Sequence, residues 1–183
     1  MQRVVVLGNS GAGKTTLAAK LAVTLDAPHT EIDALFWKPG WTGDDDDEFL
    51  DRLRGAATAS DRWVIDGNYL TRGARVLWPL ADTIVWVDMP LPLVLSRSLR
   101  RTVRRAITRE VLWGTNREKL RFLLPIQGET PLWQYAIRHQ RVYVPRIESM
   151  LAEPQHAHLT VHRLRSRAEV RRFLGALRPV EQA

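Results

Sequence analysis

The segment Gly8–Thr15 constrains this chain more than any other. It reads GNSGAGKT, which fits the pattern G-x-x-x-x-G-K-[ST]. The apolar, β-branched run Arg3–Leu7 comes before it, and Lys14–Leu25 after it repeats leucine at every fourth residue, the spacing of one helix face. The sequence therefore predicts a strand, a tight loop and a helix in that order.

The residue types of this loop suit phosphate binding. Glycines let backbone N–H groups approach phosphate oxygens closely, and the N-terminus of the following helix attracts anions. Lys14 can reach the β- and γ-phosphates of a nucleotide, and the hydroxyl of Thr15 can hold Mg²⁺. The residues predicted to bind a nucleotide are Gly8, Asn9, Ser10, Gly11, Ala12, Gly13, Lys14, Thr15 and Thr16. The alternative is a glycine-rich turn that binds nothing.

Strands and helices alternate along the rest of the chain. The predicted strands are Arg3–Leu7, Thr30–Ile32, Arg62–Ile65, Thr83–Val87 and Leu159–Leu164. The predicted helices are Lys14–Leu25, one that opens within Asp44–Glu48, Leu91–Arg105, Pro131–Leu151 with a break at Pro145, and one after the capping box of Ser166 and Glu169. This alternation indicates an α/β fold with a parallel sheet of about five strands, covered by helices on both faces. In such folds ligands bind at the carboxyl ends of the strands.

The composition is that of an ordinary globular domain. The chain has 183 residues, 45% of them hydrophobic and 26% charged. It has no cysteine, which excludes a disulfide framework, a zinc finger and an iron–sulfur site. No apolar run approaches the ~20 residues that span a bilayer, and the first apolar run is too short for a signal peptide. We therefore expect a single cytoplasmic domain, residues 1–183, without a membrane segment.

Positive charge is concentrated in one segment. The chain has 27 Lys and Arg against 20 Asp and Glu, and residues 97–121 hold eight arginines and one lysine against two glutamates. The arginines that recur at three- and four-residue steps, and so share a helix face, are Arg97, Arg100, Arg101, Arg104 and Arg105. Such a face favours a compact polyanion, because arginines stabilise a phosphoryl group during its transfer. The alternatives are a solvated face and a groove for nucleic acid.

Carboxylates follow three of the five predicted strands. Asp66 can hold Mg²⁺ in such a fold, and Asp33 can orient or deprotonate an acceptor hydroxyl. The alternative for both is a helix cap or a turn residue. Asp88 is interpreted as structural, and the acidic run Asp44–Glu48 as a solvated helix start.

Three motifs together resemble the adenylate-kinase branch of small P-loop kinases. They are the loop Gly8–Thr15, the tetrapeptide Val64–Gly67, and Val87–Pro90 followed seven residues later by Arg97. Asp33–Trp41 (DALFWKPGW) and Trp63–Tyr69 (WVIDGNY) further resemble an adenylate-kinase-like group named topology modulation proteins. The resemblance covers most of residues 1–105 and, loosely, the last strand and helix.

The resemblance implies a three-layer α/β/α P-loop kinase fold, ATP with Mg²⁺, and a mobile arginine-rich lid at about residues 100–130. It implies that Arg97 flanks the adenine and that Arg101 touches the phosphates. Arg138 and Arg141, on the helix after the lid, would close over the same phosphates.

Two departures from adenylate kinases bear on the acceptor. Phe36 stands where those enzymes have an arginine for the acceptor's phosphate, and Asn68-Tyr69 stands where they have Pro-Arg. These departures argue against AMP as the acceptor. Asp33 followed by an aromatic loop looks more like kinases of small hydroxyl compounds such as shikimate or gluconate.

We therefore expect an ATP- and Mg²⁺-dependent phosphotransferase that acts on a nucleotide, a nucleoside or another small hydroxyl or phosphate acceptor. The expected catalytic residues are Lys14, Asp33, Arg97, Arg101 and Arg105, and the expected metal ligands are Thr15 and Asp66. The expected acceptor contacts are Asp33, Trp37, Trp41, Gly67, Arg104 and Arg138, although the tryptophans could instead pack their loop against the domain. The alternatives are a regulatory nucleotide-binding NTPase whose basic segment binds nucleic acid, and a P-loop protein without acceptor chemistry.

Overall fold

The structure, a computed structural model, describes residues 1–43, 46–124 and 130–177. Its strands are β1 (Arg3–Gly8), β2 (His29–Glu31), β3 (Trp37–Lys38), β4 (Thr42–Gly43), β5 (Trp63–Asp66), β6 (Thr83–Val87), β7 (Val111–Leu112), β8 (Asn116–Arg117) and β9 (Thr160–Leu164). Its α-helices are α1 (Lys14–Leu25), α2 (Ile32–Phe36), α3 (Asp46–Thr58), α4 (Gly73–Leu77), α5 (Leu91–Thr108), α6 (Leu132–Arg138), α7 (Val144–Leu151) and α8 (Arg167–Ala176). Within these ranges no helix is both long and apolar enough to cross a membrane.

Five strands form one parallel sheet in the order β2–β5–β1–β6–β9. They are the five predicted strands, and each boundary lies within one residue of its prediction. Parallel neighbours require crossover connections, and helices supply them here. Because β1 is the central strand, the loop that follows it lies in the middle of the sheet's carboxyl edge.

Alternate side chains of the central strand enter two separate hydrophobic cores, one on each face of the sheet. Val4 and Val6 pack with apolar residues of α1 and α8. Val5 and Leu7 pack with residues of α3, α4 and α7. The largest buried side chains of this second core are Trp63, Trp78 and Trp86. Helices therefore cover both faces, which confirms the predicted three-layer arrangement.

The helix predicted over Pro131–Leu151 is divided in two by a π turn, His139–Tyr143. Pro145 lies in the first turn of α7, where a missing N–H costs little. The carbonyl four residues earlier, at Arg141, loses its helical donor and would clash with the proline ring in a regular α-helix. The predicted break is confirmed, and the wider turn accommodates it.

The last helix begins at the predicted capping box. The Ser166 hydroxyl accepts a hydrogen bond from the backbone N–H of Glu169 at 3.1 Å. The Glu169 carboxylate in turn accepts the backbone N–H of Arg165 at 2.7 Å. One unpaired donor of the first turn, the Glu169 N–H, and the N–H of the residue before the cap are thereby satisfied.

Two short antiparallel hairpins, β3–β4 and β7–β8, are absent from the predicted elements. Each of their strands has two residues, too few for hydrophobic periodicity to reveal. The hairpin β7–β8 follows α5, which ends at Thr108 with Arg109 in the left-handed region, at φ 52°. This hairpin belongs to the predicted lid of about residues 100–130. Residues 125–129 of the lid, and Asp44 and Asp45 of the acidic run, lie outside the described ranges.

Candidate active site

The phosphate loop, Gly8–Thr15, packs closely against the elements beside it. A Cβ atom on Gly8 would lie 2.6 Å from the carbonyl oxygen of Val87. A Cβ atom on Gly11, where φ is 87°, would lie 2.7 Å from the carbonyl oxygen of Val94. Only glycine tolerates such a close approach, so the loop's glycines are required by its conformation.

The start of α1 faces this loop. Gly13 occupies the cap position at φ 103°, and without a side chain it cannot cap the first turn. The first N–H groups of a helix are then available to an anion. Lys14 and Thr15 are half-buried there and Thr16 is exposed. The residues predicted to bind a nucleotide are thus together at one strand–loop–helix turn.

Two arginines of α5 contact the phosphate loop directly. Nη1 of Arg97 donates a hydrogen bond to the carbonyl oxygen of Ala12 at 3.1 Å. Nη2 of Arg101 donates to the hydroxyl of Ser10 at 2.8 Å. Burial lowers the pKa of Arg101, and the charge of Glu118 opposes that shift. The loop therefore has two guanidinium groups at its rim.

The next two arginines of α5 pair with glutamates of the lid. The Arg105 guanidinium lies 3.2 Å from the Glu110 carboxylate and 3.0 Å from that of Glu118, which is buried. Nη2 of Arg104 lies 3.0 Å from Glu110. In this conformation Arg104 and Arg105, both predicted to reach phosphates, instead tie the hairpin β7–β8 to α5.

Asp33 lies at the start of α2, directly after β2. The hydroxyl of Tyr69 donates a hydrogen bond to Oδ1 of Asp33 at 3.0 Å. Burial raises the pKa of Tyr69, and the charge of Asp33 raises it further. Burial raises the pKa of Tyr135 to about 12, and the charge of Asp33 adds to that rise. The charge of Asp33 also opposes the lowering of the Arg101 pKa by burial. Asp33 follows a strand of the same parallel sheet as the phosphate loop, at the carboxyl edge.

Asp66 is the last residue of β5 and is buried. Its register partners are Val6 on β1 and Glu31 on β2. Oδ2 of Asp66 lies 3.7 Å from Nε2 of His29 and has no hydrogen-bond donor among the described residues. A buried carboxylate oxygen in that state fits a cation or an ordered water.

The described residues contain no group of three or more His, Asp or Glu side chains that could hold a metal ion. A metal bound at Asp66 would therefore take most of its ligands from water and phosphate. That is how Mg²⁺ is commonly bound in enzymes that transfer phosphate.

Two residues outside the predicted set hold the first residue of the phosphate loop. The Asn68 side chain accepts the N–H of Gly8 at 2.9 Å and donates to the carbonyl of Gly8. Its Nδ2 also lies 3.2 Å from Nε2 of His139. A polar residue two positions after the end of a buried strand was a usable signal for Asn68, but nothing in the sequence around His139 connects it with the loop.

The tryptophans near Asp33 pack on one another in edge-to-face contacts. Ring centroids are 5.6 Å apart for Trp37 and Trp41, and 5.7 Å apart for Trp41 and Trp113. Trp41 also donates its indole N–H to the carbonyl of Arg117 at 3.2 Å. Of the two roles considered for Trp37 and Trp41, these contacts favour packing of the loop.

Three further residues named in the sequence analysis are Gly67, Arg138 and Asp88. Gly67 is buried against Ile32, beneath Asp33. Arg138 is exposed at the end of α6, and its charge opposes the rise in the pKa of Tyr135 that burial causes. Asp88 is held by Arg163, with Oδ2 2.7 Å from Nη2, which agrees with its interpretation as structural.

The fold matches small-molecule kinases of known structure. Shikimate kinase from Acinetobacter baumannii, solved in complex with shikimate, aligns with a TM-score of 0.56 and 15% identity over 96% of this chain and 89% of its own. Shikimate kinase from Bacteroides thetaiotaomicron aligns with a TM-score of 0.52 and 16% identity over 96% of both chains. A gluconokinase from Sinorhizobium meliloti aligns with a TM-score of 0.52 and 18% identity over 96% of this chain and 95% of its own.

No protein-family model matches the chain, and no curated protein sequence matches it. At 15% to 18% identity, the structural likeness establishes the fold. Shikimate kinase and gluconokinase are P-loop kinases, so this chain has the α/β fold of P-loop kinases, as its sequence predicts.

Proposed function

We propose that the protein is an ATP- and Mg²⁺-dependent phosphotransferase that acts on a hydroxyl group of a small molecule. One observation carries the proposal. Arg101 contacts Ser10 of the phosphate loop, and Asp33 follows β2 of the same parallel sheet. A phosphate-binding loop with a cation in contact and a carboxylate therefore lie at one edge of the sheet, which is what positioning and charge stabilisation in phosphoryl transfer require.

In the proposed reaction the acceptor's hydroxyl oxygen bonds to the γ-phosphorus of ATP while the bond to the β–γ bridging oxygen breaks. The hydroxyl proton passes to Asp33, and ADP leaves with the bridging oxygen. Lys14, Arg97 and Arg101 neutralise the charge that spreads over the transferring group.

We infer that Thr15 and Asp66 hold Mg²⁺ when it is bound. The buried Asp66 oxygen that lacks a donor among the described residues supports this role. The metal would supply positive charge to the β- and γ-phosphates.

We infer that the lid-like insertion, about residues 100–130, closes over this cleft within a single kinase domain, residues 1–183. The support is that arginines of one helix, α5, contact both the phosphate loop and the lid. Arg97 and Arg101 reach the phosphate loop, and Arg105, one turn further along, holds the hairpin β7–β8.

The acceptor that we favour is a small hydroxyl compound such as a sugar acid. Phe36 packs within 4.9 Å of both Trp37 and Tyr69, so an aromatic cluster fills the place where adenylate kinases have an arginine. Two of the structural neighbours are named for shikimate and gluconate. Nucleosides and nucleotides stay in the test panel, because Asp33–Trp41 and Trp63–Tyr69 also resemble the adenylate-kinase-like group named above.

The test is transfer of the labelled γ-phosphate of ATP to nucleotides, nucleosides, shikimate, gluconate and related sugar acids. We expect Lys14→Ala to reduce transfer at least about 100-fold without lowering the melting temperature. Lys20→Ala, on the exposed side of the same helix, is the matched control and should keep wild-type transfer. Wild-type activity in Lys14→Ala would contradict the proposal.

A further inference from the structure

The amide of Asn68 is fully used by two partners. Its oxygen accepts the N–H of Gly8 at 2.9 Å, and its nitrogen donates one hydrogen to the carbonyl of Gly8. The Gly8 N–H fixes which end of the amide is oxygen, because a donor cannot face a donor. The second amide hydrogen therefore points to Nε2 of His139, 3.2 Å away.

This geometry sets the state of the His139 imidazole. Nε2 must be unprotonated to accept from Asn68, so the ring proton sits on Nδ1. The ring is 2% exposed and stacks on Tyr143, with centroids 5.4 Å apart. Nδ1 is buried and has no partner among the described residues. A buried imidazole with one hydrogen-bond partner among the described residues needs an explanation.

The element that carries His139 makes a second contact with the phosphate loop. Nδ2 of Asn9 donates to the carbonyl of Ala136 at 2.9 Å. Ala136 lies in α6 and His139 opens the π turn that follows, and π turns are frequent at functional sites. The first two residues of the phosphate loop are thus both tied, directly or through Asn68, to the helix that follows the lid.

We propose that Asn68 and His139 form a positioning pair that fixes the phosphate loop in its nucleotide-binding conformation. The inference rests on the proposed function, since it assigns the pair to nucleotide binding. Asn68 holds the backbone of Gly8, and His139 acts only through Asn68 by keeping its amide in place. Neither side chain takes part in phosphoryl transfer.

The pair requires a neutral imidazole. Protonation of Nε2 would turn two donors toward each other. The charged groups that act on His139 are Lys14, which disfavours protonation, and Asp88, which favours it. Burial, followed by the charge of Lys14, lowers the pKa of His139 to about 4. Nucleotide affinity should therefore not change through His139 above pH 6 and should fall as the pH approaches 4.

The experiment measures the dissociation constant of Mg²⁺-ATP by calorimetry at pH 7.5, with the melting temperature recorded for each variant. Loss of its one hydrogen bond to Asn68 predicts that His139→Leu weakens ATP binding about 3- to 10-fold, and Asn68→Ala, which also removes both contacts with Gly8, should weaken it at least as much. His139→Gln keeps an acceptor near the position of Nε2 and should restore binding to within about twofold of wild type. The double variant Asn68→Ala/His139→Leu should bind ATP no more weakly than Asn68→Ala, because the two residues act in series.

His156→Leu is the matched control. His156 is another buried histidine, whose Nδ1 contacts the carbonyl of Met150, and its loss should lower the melting temperature without changing ATP affinity. Three results would each contradict the proposed pair. They are unchanged ATP affinity in His139→Leu, additive losses in the double variant, and no rescue by His139→Gln. A wild-type protein that binds no ATP would instead overturn the proposed function.

Discussion

Asp33 is the residue whose surroundings bear most directly on the proposed chemistry. Tyr69 occupies one of its oxygens, and the Tyr69 ring is held between Phe36 and Phe49, with centroids 4.9 and 5.3 Å away. The hydroxyl therefore comes from a ring with little freedom to move. The hydrogen bond from Tyr69 fixes the orientation of the Asp33 carboxylate. We propose that its other oxygen, Oδ2, accepts the proton of the acceptor's hydroxyl.

Tyr69→Phe tests this arrangement, because it removes the hydroxyl and keeps the ring. We expect kcat to fall about tenfold, the effect of losing a hydrogen bond to a charged group, while the dissociation constant of ATP stays unchanged. Steady-state kinetics with the identified acceptor, together with ATP titration, separate the two effects. Tyr143→Phe, which alters a ring stacked on His139, is the control. An unchanged kcat in Tyr69→Phe would show that Asp33 needs no orienting contact.

At the residue scale, a site can be predicted from sequence where its residues are consecutive. The phosphate loop Gly8–Thr15 could be predicted from the printed letters, because its glycines, lysine and threonine form one continuous pattern. Asn68 and His139 could not, because their contacts join residues 60 and 71 positions apart. Arg104 and Arg105 share the helical spacing of Arg101. Spacing cannot show that these two arginines form ion pairs with glutamates of the lid.

At the element scale, hydrogen bonds join the two hairpins that were not predicted, β3–β4 and β7–β8. The backbone N–H of Trp41 donates to Oδ1 of Asn116 at 2.8 Å, and Nδ2 of Asn116 donates to the carbonyl of Lys38 at 3.0 Å. Asn116 is buried at 2% exposure. One side chain of β8 therefore bonds the backbone of the β3–β4 loop on both sides, and the lid is joined to the loop that follows Asp33.

Asn116→Ala should loosen this junction. Removing a buried side chain that makes two hydrogen bonds costs about 1–3 kcal/mol, so we expect trypsin to cleave after Arg117 and Lys119 about tenfold faster, with a higher KM for the acceptor. Limited proteolysis followed by mass spectrometry locates the cuts. Thr115→Ala, an exposed neighbour in the same turn, should leave the cleavage rate unchanged. Equal rates in the two variants would mean that the hairpins separate independently of Asn116.

The main strands and helices were predictable because each repeats a pattern over several residues, as the leucines of α1 do. The break near Pro145 was predictable from the ring of proline. The form of that break, a π turn that brings His139 to Asn68, depends on tertiary packing. The hairpins depend on it too, since the contact between Asn116 and Trp41 spans 75 positions.

At the scale of the whole molecule, the basic segment supplies its own counter-ions. Glu110 and Glu118 neutralise part of the arginine face, and Arg97 and Arg101 turn toward the phosphate loop. The basic side chains left on the described outer surface of this segment include Arg100, Arg109, Arg117 and Lys119. That scattered set suits weak, non-specific attraction to a polyanion better than a defined groove.

We therefore expect any affinity for duplex DNA to depend on low salt. Each phosphate contact contributes a slope of about 0.9 in the logarithm of affinity against the logarithm of salt. Fluorescence anisotropy with a labelled duplex should detect binding at low ionic strength and none at ~150 mM salt. Tight binding at ~150 mM that disappears when Arg100 and Arg109 are changed to alanine would favour the regulatory nucleic-acid function instead.

The partners of the phosphate loop come from far along the chain. Asn68 lies 60 positions after Gly8, Arg97 lies 85 after Ala12, Arg101 lies 91 after Ser10, and Ala136 lies 127 after Asn9. At a ribosomal rate of about 5–20 residues per second, the loop is synthesised roughly 6 to 25 seconds before its last partner. The loop is thus made well before the residues that hold it. A chain that ends before Ala136 lacks the carbonyl that accepts from Asn9, so it cannot form all the contacts that hold this loop.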